Sequence, residues 1–350
     1  MKVVLVLALL AVAPAWTVAD LGTPSGHSDA FVQAVLVNAS GTAVAIGSES
    51  AGTNHARQQA FVWQKASKTA LAYHGAHFIE PTAIDGAGDV LGTAGNTAVL
   101  WRKGVPTALG AFNPNAMNDD GSVVIGAGNV GGDQHAFVWR NGTLTDLPGL
   151  GRTETNAIAV NHGGTIVGES ALPSGTDHAV AWQRGVAADL GSVNGLDSFA
   201  TLITAEGTIF GFASTHVGNS AVALEWKGGR LIVLGRFGAG GARPVAVNAH
   251  GDVLIQTQTA NQDAVGLRLL RGGKTIRIAV SALGRQRLWA VGLDDEDDVV
   301  GYGTTTLRGF LWRKGQATLL PADEQANAVA GGWIAASKPQ GGGVLLRLRS

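Results

Sequence analysis

Cysteine is absent from this 350-residue chain. Its absence excludes a disulfide scaffold, a CxxC redox centre, thiolate zinc sites and a lipidated cysteine anchor. Charge is scarce as well: Asp, Glu, Lys and Arg supply 15% of the residues, 25 basic against 26 acidic. A chain this close to neutral carries no electrostatic footprint for nucleic acid. Prolines number ten and the glycines show no three-residue period, so a collagen-like chain is excluded. Abundant Trp, Phe, Val, Ile and Leu exclude disorder. What the chain has in excess is glycine, 51 residues, about twice the usual share of about 7%.

The N-terminus reads as a separate signal. Met1-Lys2 is followed by an apolar run from Val3 to Ala13 and then by Ala13-Pro14-Ala15. A basic start, a short hydrophobic stretch and a small-x-small site describe a secretory leader. The run is shorter than the roughly 20 residues of a membrane span, so the mature chain is expected to have no transmembrane segment. The expected leader is 1–15, with a cut after Ala19 as the alternative. Residues 16–350 then form one exported domain, periplasmic or extracellular and expected to be a monomer.

Internal repeats dominate that domain. Ala-apolar-apolar-Trp recurs as Ala60-Phe61-Val62-Trp63, Ala98 to Trp101, Ala136 to Trp139 and Ala179 to Trp182. Ala223 to Trp226 and Gly309 to Trp312 continue the pattern, and Leu270 and Leu346 hold the anchor position in two weaker copies. The anchors are separated by 38, 38, 43, 44, 44, 42 and 34 residues. Before each anchor stand an apolar strand, an Asn or Asp, two residues, a Gly and a second apolar strand. Asn118-Asp119-Asp120-Gly121, Asn161 to Gly164 and Asn248 to Gly251 are clear copies. Thr204 to Gly207 and Asp294 to Asp297 have diverged, and the copy near Gly332 is barely recognisable.

After each anchor come a short turn and a further strand. Four strands in about 40 residues describe one propeller blade. The expected fold is all-β: a single β-propeller of about eight four-stranded blades, with seven as the alternative. Each tryptophan should pack on the Ala/Val face of the next blade. The final unit stops after its third strand, and Trp16 to Gly22 resembles the fourth strand elsewhere. An N-terminal strand completing the last blade would close the ring and cover an open edge. It also favours the cut after Ala15.

At these residues the chain resembles the bacterial extracellular HAF-repeat family. The family pattern runs Asp-Leu-Gly-x-Leu-Gly-Gly, then Ala-x-x-Ile-Asn-x-x-Gly-x-Val-Val-Gly-x-Ser, then His-Ala-Phe-x-Trp. Here it stands as Asp146 to Gly151, Ala159-Val160-Asn161 with Gly164 to Ser170, and His135 to Trp139. Only one unit has the full His-Ala-Phe start. The resemblance implies a repeat and export, and no established activity.

Motifs of chemistry are few. Gly126-x-Gly128-x-x-Gly131 matches a dinucleotide fingerprint in spelling, but the strand His135 to Trp139 follows it where a helix is required. Gly26 to Ala30 lacks the helix of a nucleophile elbow. Asp294, Asp295 and Asp297, with Glu296 and Asp298, form the densest charge cluster; a solvated turn is the plain reading and a Ca²⁺ site the alternative. No other cofactor is expected. The recurring Asn/Asp should cap their own turns, with a polar ring as the alternative. His135 and His178, at matching positions of neighbouring blades, read as surface histidines without nearby acids, with metal binding as the alternative.

Short turns trim one end of the ring, whereas variable loops gather at the other, where recognition usually resides. Phe78, Asn194 and Arg236 mark that end. The first functional reading is an exported binding propeller for a protein or glycan partner. An extracytoplasmic enzyme, glycan-active or quinone-dependent, is the second, although no catalytic motif supports it. A structural envelope component is the third.

Overall fold

The computed structural model describes residues 16–22, 31–49, 57–65, 67–214, 221–238, 240–259 and 264–349. The expected leader and the Gly26 to Ala30 segment lie outside the described residues. Alternation along each strand explains why sheets form and stack. In the strand Phe31–Val37, Val32 and Ala34 are fully buried while Gln33 and Val35 keep access to solvent. The next strands of the unit are apolar on both faces, as a sheet sandwiched between two others must be.

The strands pair into eight four-stranded antiparallel sheets. Seven are consecutive in sequence: blades 1 to 7 span 31–71, 79–110, 113–146, 155–189, 197–235, 242–278 and 288–319. Blade 8 takes three strands from 325–348 and its outer strand from the N-terminus. The seven-blade alternative is thereby removed. Gly126 to Gly131 continues a strand into a hairpin, so no helix follows it. Among the described residues no helix is long and apolar enough to cross a membrane.

The N-terminal strand Trp16–Asp20 pairs antiparallel with Gly343–Leu348, from Trp16 opposite Leu348 to Asp20 opposite Val344. Leu21 then sends its N–H to the carbonyl of Gly343 and is fully buried. Lys338 Nζ pairs with Asp20 at 2.7 Å. The last blade is thus closed by hydrogen bonds, an apolar plug and an ion pair.

The anchor tryptophans pack in one direction, and it is the reverse of the expected one. Trp101 of blade 2 lies in a cluster with Val44, Ala60 and Leu71 of blade 1, and its Nε1 donates to Ala72 O at 3.0 Å. Trp182 reaches Pro148 O and Trp226 reaches Leu190 O, both at 2.8 Å. Each indole therefore seals its blade against the preceding one. The sense is set by the outer strand, whose exit toward the following blade presents a carbonyl there. Burying one such ring is worth about 4–6 kcal/mol in transfer terms.

Every inner strand carries a bulge at the same place, skipping Val35, Thr82, Asn115, Ile158, Thr201, Val245, Val291 and Asn327 in turn. The bulge explains the glycine of the second strand. A Cβ on Gly168 would meet Asn156 O at 1.9 Å, and one on Gly211 would meet Phe199 O at 1.9 Å. The bulged strand presses its carbonyl where a side chain would otherwise stand.

Closure yields a direct test. A chain starting at Asp20 lacks four of the five residues of the outer strand, whereas one starting at Trp16 retains them all. We expect the shorter chain to melt about 5–15 °C lower by calorimetry. Equal melting temperatures would show that the strand closes nothing.

Candidate functional site

The bulge turns alternate residues of each inner strand toward the central channel. Two residues before each skipped position stands Gln33, Glu80, Asn113, Asn156, Phe199, Arg243, Trp289 or Gln325, one per blade. All eight keep solvent access, while their immediate neighbours are largely buried. They form a ring at the mouth on the variable-loop end. Five, on the consecutive blades 8, 1, 2, 3 and 4, carry amide or carboxylate groups, and blades 5, 6 and 7 supply Phe199, Arg243 and Trp289.

Two cavities flank this mouth. One, about 380 Å³, lies across blades 7, 8 and 1 and is walled by Gln33, Trp289, Tyr302, Gln325 and Asn327. The other, about 420 Å³, is walled by Asn113, Asn115, Asn129, Gln134 and Asn156 of blades 3 and 4. The first pairs aromatics with amides; the second is almost wholly amide. Trp289 is 45% exposed, unlike the anchor tryptophans, and stands opposite Tyr302 in the sheet.

The walls are held rigid. Asn115 Nδ2 donates to Ala157 O at 2.7 Å and Asn327 Nδ2 donates to Ala34 O at 2.8 Å, each reaching the following blade. Asn156 donates to Glu169 at 3.1 Å, and burial raises the Glu169 carboxyl above its ordinary range. Phe199 stacks on Phe212 at 4.9 Å, and the Arg243 guanidinium covers Phe212 at 4.2 Å.

The residues singled out from sequence fall unevenly. Phe78, 51% exposed, precedes the inner strand of blade 2. Asn194, in a left-handed turn, joins blades 4 and 5, and Arg236 follows the outer strand of blade 5. Asn194 and Arg236 therefore flank one blade, whereas Phe78 and Arg236 stand four blades apart in a ring of eight. They do not share one patch. The mouth ring was missed, although the glycine of Val-Val-Gly marks where the bulge must sit and so which residues face the channel.

At the trimmed end, Asn38, Asn161 and Asn248 each do two things, whereas Asn118 spends its Nδ2 on Ser122 Oγ of its own turn at 3.2 Å. Asn161 Oδ1 accepts the Thr165 N–H at 3.0 Å, capping its own turn, while Nδ2 donates to Thr204 O of the next blade at 3.1 Å. Asn38 repeats this with Thr42 and Asp85, and Asn248 with Asp252 and Asp294. Cap and ring are one device.

The acidic cluster belongs to the same device. Asp294 accepts from Gly332 N at 2.8 Å, Asp295 from Ala249 N at 2.7 Å, and Asp297 from Asn248 Nδ2 at 2.9 Å. Burial pushes the Asp294 carboxyl up to about 6. Its three carboxylates thus face three different partners, and among the described residues no group of three or more His, Asp or Glu is placed to hold a metal.

The histidines do have nearby acids. His135 Nδ1 lies 2.6 Å from Asp146 and His178 Nδ1 2.9 Å from Asp189, each across the third and fourth strands of one blade. Strand register, absent from a linear reading, brings them together.

A third cavity, about 1000 Å³, opens at the trimmed end between blades 5 and 6. Phe210, Leu234 and Leu270 form its apolar wall, with Glu206, Lys227 and His250 at its edge. Its origin is a double omission. Leu270 stands where six blades have tryptophan, and Thr204 caps its own turn through Oγ1 without an amide to send onward.

The comparisons bear on the scaffold. A scan of protein-family models finds no match, and a search of curated proteins finds none. Among solved structures, a streptogramin B lyase has a TM-score of 0.50 at 10% identity, covering 95% of this chain and 98% of its own. The Pyrococcus horikoshii acylaminoacyl peptidase has a TM-score of 0.54 at 12% identity, covering 83% of this chain and 52% of its own. The β-propeller domain of the Pyrococcus furiosus trilobed protease, described as having an open velcro topology, has a TM-score of 0.50 at 12% identity. It covers 83% of this chain and 97% of its own. These likenesses show the fold alone. They assign no ligand to the ring.

Glu324 tests the electrostatics beside the mouth. It is 2% exposed, and burial pushes its carboxyl up to about 7, with Lys338 opposing weakly. A raised folded value means that its contribution to stability is complete below the unfolded value near 4.5 and fades as pH climbs to 7. Glu324→Gln should therefore match the parent near pH 4 and melt several degrees higher at pH 8. A constant difference across that range would contradict the assignment.

Proposed function

We propose that this protein is an exported glycan-binding propeller of the HAF-repeat type, and that the variable-loop mouth is its binding surface. The observation that carries this reading is Trp289, exposed at 45% on the mouth ring beside Gln33, Gln325 and Asn327. An indole face offers a flat apolar platform for the C–H face of a sugar ring. Neighbouring amides each present donors and an acceptor, the combination that paired hydroxyls require.

The size supports it too. A cavity of about 380 Å³ is within the range of small-ligand sites. Aromatic and amide sides lie on opposite parts of the mouth, which suits an extended chain lying across the channel better than a single ring. Export rests on the basic start, the apolar run and the small-x-small site of residues 1–15.

A glycan array followed by fluorescence titration tests this. Trp289→Ala should weaken the best glycan at least tenfold, and Trp289→Phe should remove most of the fluorescence response while retaining part of the binding. Unchanged affinity in Trp289→Ala, or no glycan bound at all, would overturn the reading.

A further inference from the structure

Each blade sets a polar residue directly after its anchor, facing a residue at the start of the second strand. In blades 2, 6 and 7 that pair is an arginine and an aspartate: Arg102 with Asp89, Arg271 with Asp252, and Arg313 with Asp298. Blade 3 has no acid there, and Arg140 instead donates to Gly164 O of blade 4 at 2.6 Å. Blade 8 departs from both solutions. Its register places Trp333 opposite Arg347, and the guanidinium lies over the indole at 4.9 Å. The aromatic ring orients the arginine, and among the described residues no carboxylate pairs with it.

That arginine borders a cavity of about 410 Å³ between blades 7 and 8. Arg313, Lys314 and Arg349 border it as well, with Glu296 as the one acid in the wall. Arg313 is neutralised by the buried Asp298. Four cations face these two acids and Asp294, which sits behind Gly332, so positive charge remains in excess. Arg349 is steadied by its Nε donating to Thr17 Oγ1 at 3.1 Å. The strand that closes the ring therefore also positions one of the cations. The interface is one of the two whose anchor is leucine, Leu346 here, and both have a cavity at this end.

We propose that this cavity binds a phosphate-monoester group. Two arginines and a lysine around one opening, with positive charge in excess, match a dianionic tetrahedral group with several acceptor oxygens. The volume admits the phosphate together with a sugar ring or glycerol to which it is attached. The site is at the end opposite the glycan mouth and is independent of it.

Calorimetry with inorganic phosphate, glucose 6-phosphate and glucose, and sedimentation with vesicles containing or lacking phosphatidic acid, test the proposal. Glucose 6-phosphate should bind and glucose should not. Affinity should rise above pH 6, where the second proton leaves, and fall with added salt. Binding to phosphatidic acid vesicles together with inorganic phosphate, but not glucose 6-phosphate, would identify a lipid headgroup as the source and uphold the chemistry. Arg347→Gln/Arg349→Gln should weaken binding at least tenfold. Lys314→Gln, at an exposed turn, should weaken it about threefold with an unchanged melting temperature, so loss of fold is distinguished. Trp289→Ala should have no effect. Absence of phosphate binding at low salt, or equal binding by the double variant, would overturn it.

Discussion

A side-chain amide latches three of the eight blade interfaces, and the remaining interfaces are shaped by what stands in its place. Asn38, Asn161 and Asn248 cap their own turns with oxygen and grip the following blade with nitrogen, as Asn161 does with Thr165 and Thr204; Asn118 keeps both bonds in its own turn. A carboxylate or hydroxyl at that position keeps the first bond and loses the second donor. Where the donor is lost, the chain uses substitutes. Arg102 crosses from blade 2 to Gly121 O, and Asp294 accepts Gly332 N from blade 8. Between blades 5 and 6 no such substitute for Thr204 stands among the described residues, and there a cavity of about 1000 Å³ opens. The trimmed end is therefore shaped by which blades keep the latch and which keep the indole.

The other end is shaped by the bulge. A skipped residue in each inner strand pushes a carbonyl against the second strand, and glycine is the residue that accepts it in blades 2, 3, 4, 5 and 7. The same distortion aims one side chain per blade at the channel. Scaffold and recognition surface are thus consequences of one local irregularity. The framework behind it can stay constant while the eight ring residues vary freely, which is how one fold supports many ligands.

Much of the architecture was legible because the tryptophan spacing and the Asn-x-x-Gly turns report blades directly. Trp16 to Gly22 also announced the closing strand, since Asp20-Leu21-Gly22 repeats the ending of other outer strands. Relations between strands were illegible. His135 and Asp146 are eleven residues apart and meet only through register. Gly331-Gly332 replaces a four-residue turn, so the eighth turn lost its signature. Trp333 reads as one more core tryptophan until it is set opposite Arg347. The direction of anchor packing depends on where the outer strand exits, which no single unit reveals.

The latch can be isolated from the cap by one isosteric change. Asn161→Asp keeps the oxygen that caps the turn and removes the donor to Thr204 O, leaving that buried carbonyl without its partner. Denaturant unfolding at pH 7 is the most direct measurement. The latch account expects a loss of about 1–3 kcal/mol, the cost of an unmade buried hydrogen bond. Unchanged stability in Asn161→Asp would mean that the blades are held by packing alone, and the amide would be no more than a turn cap.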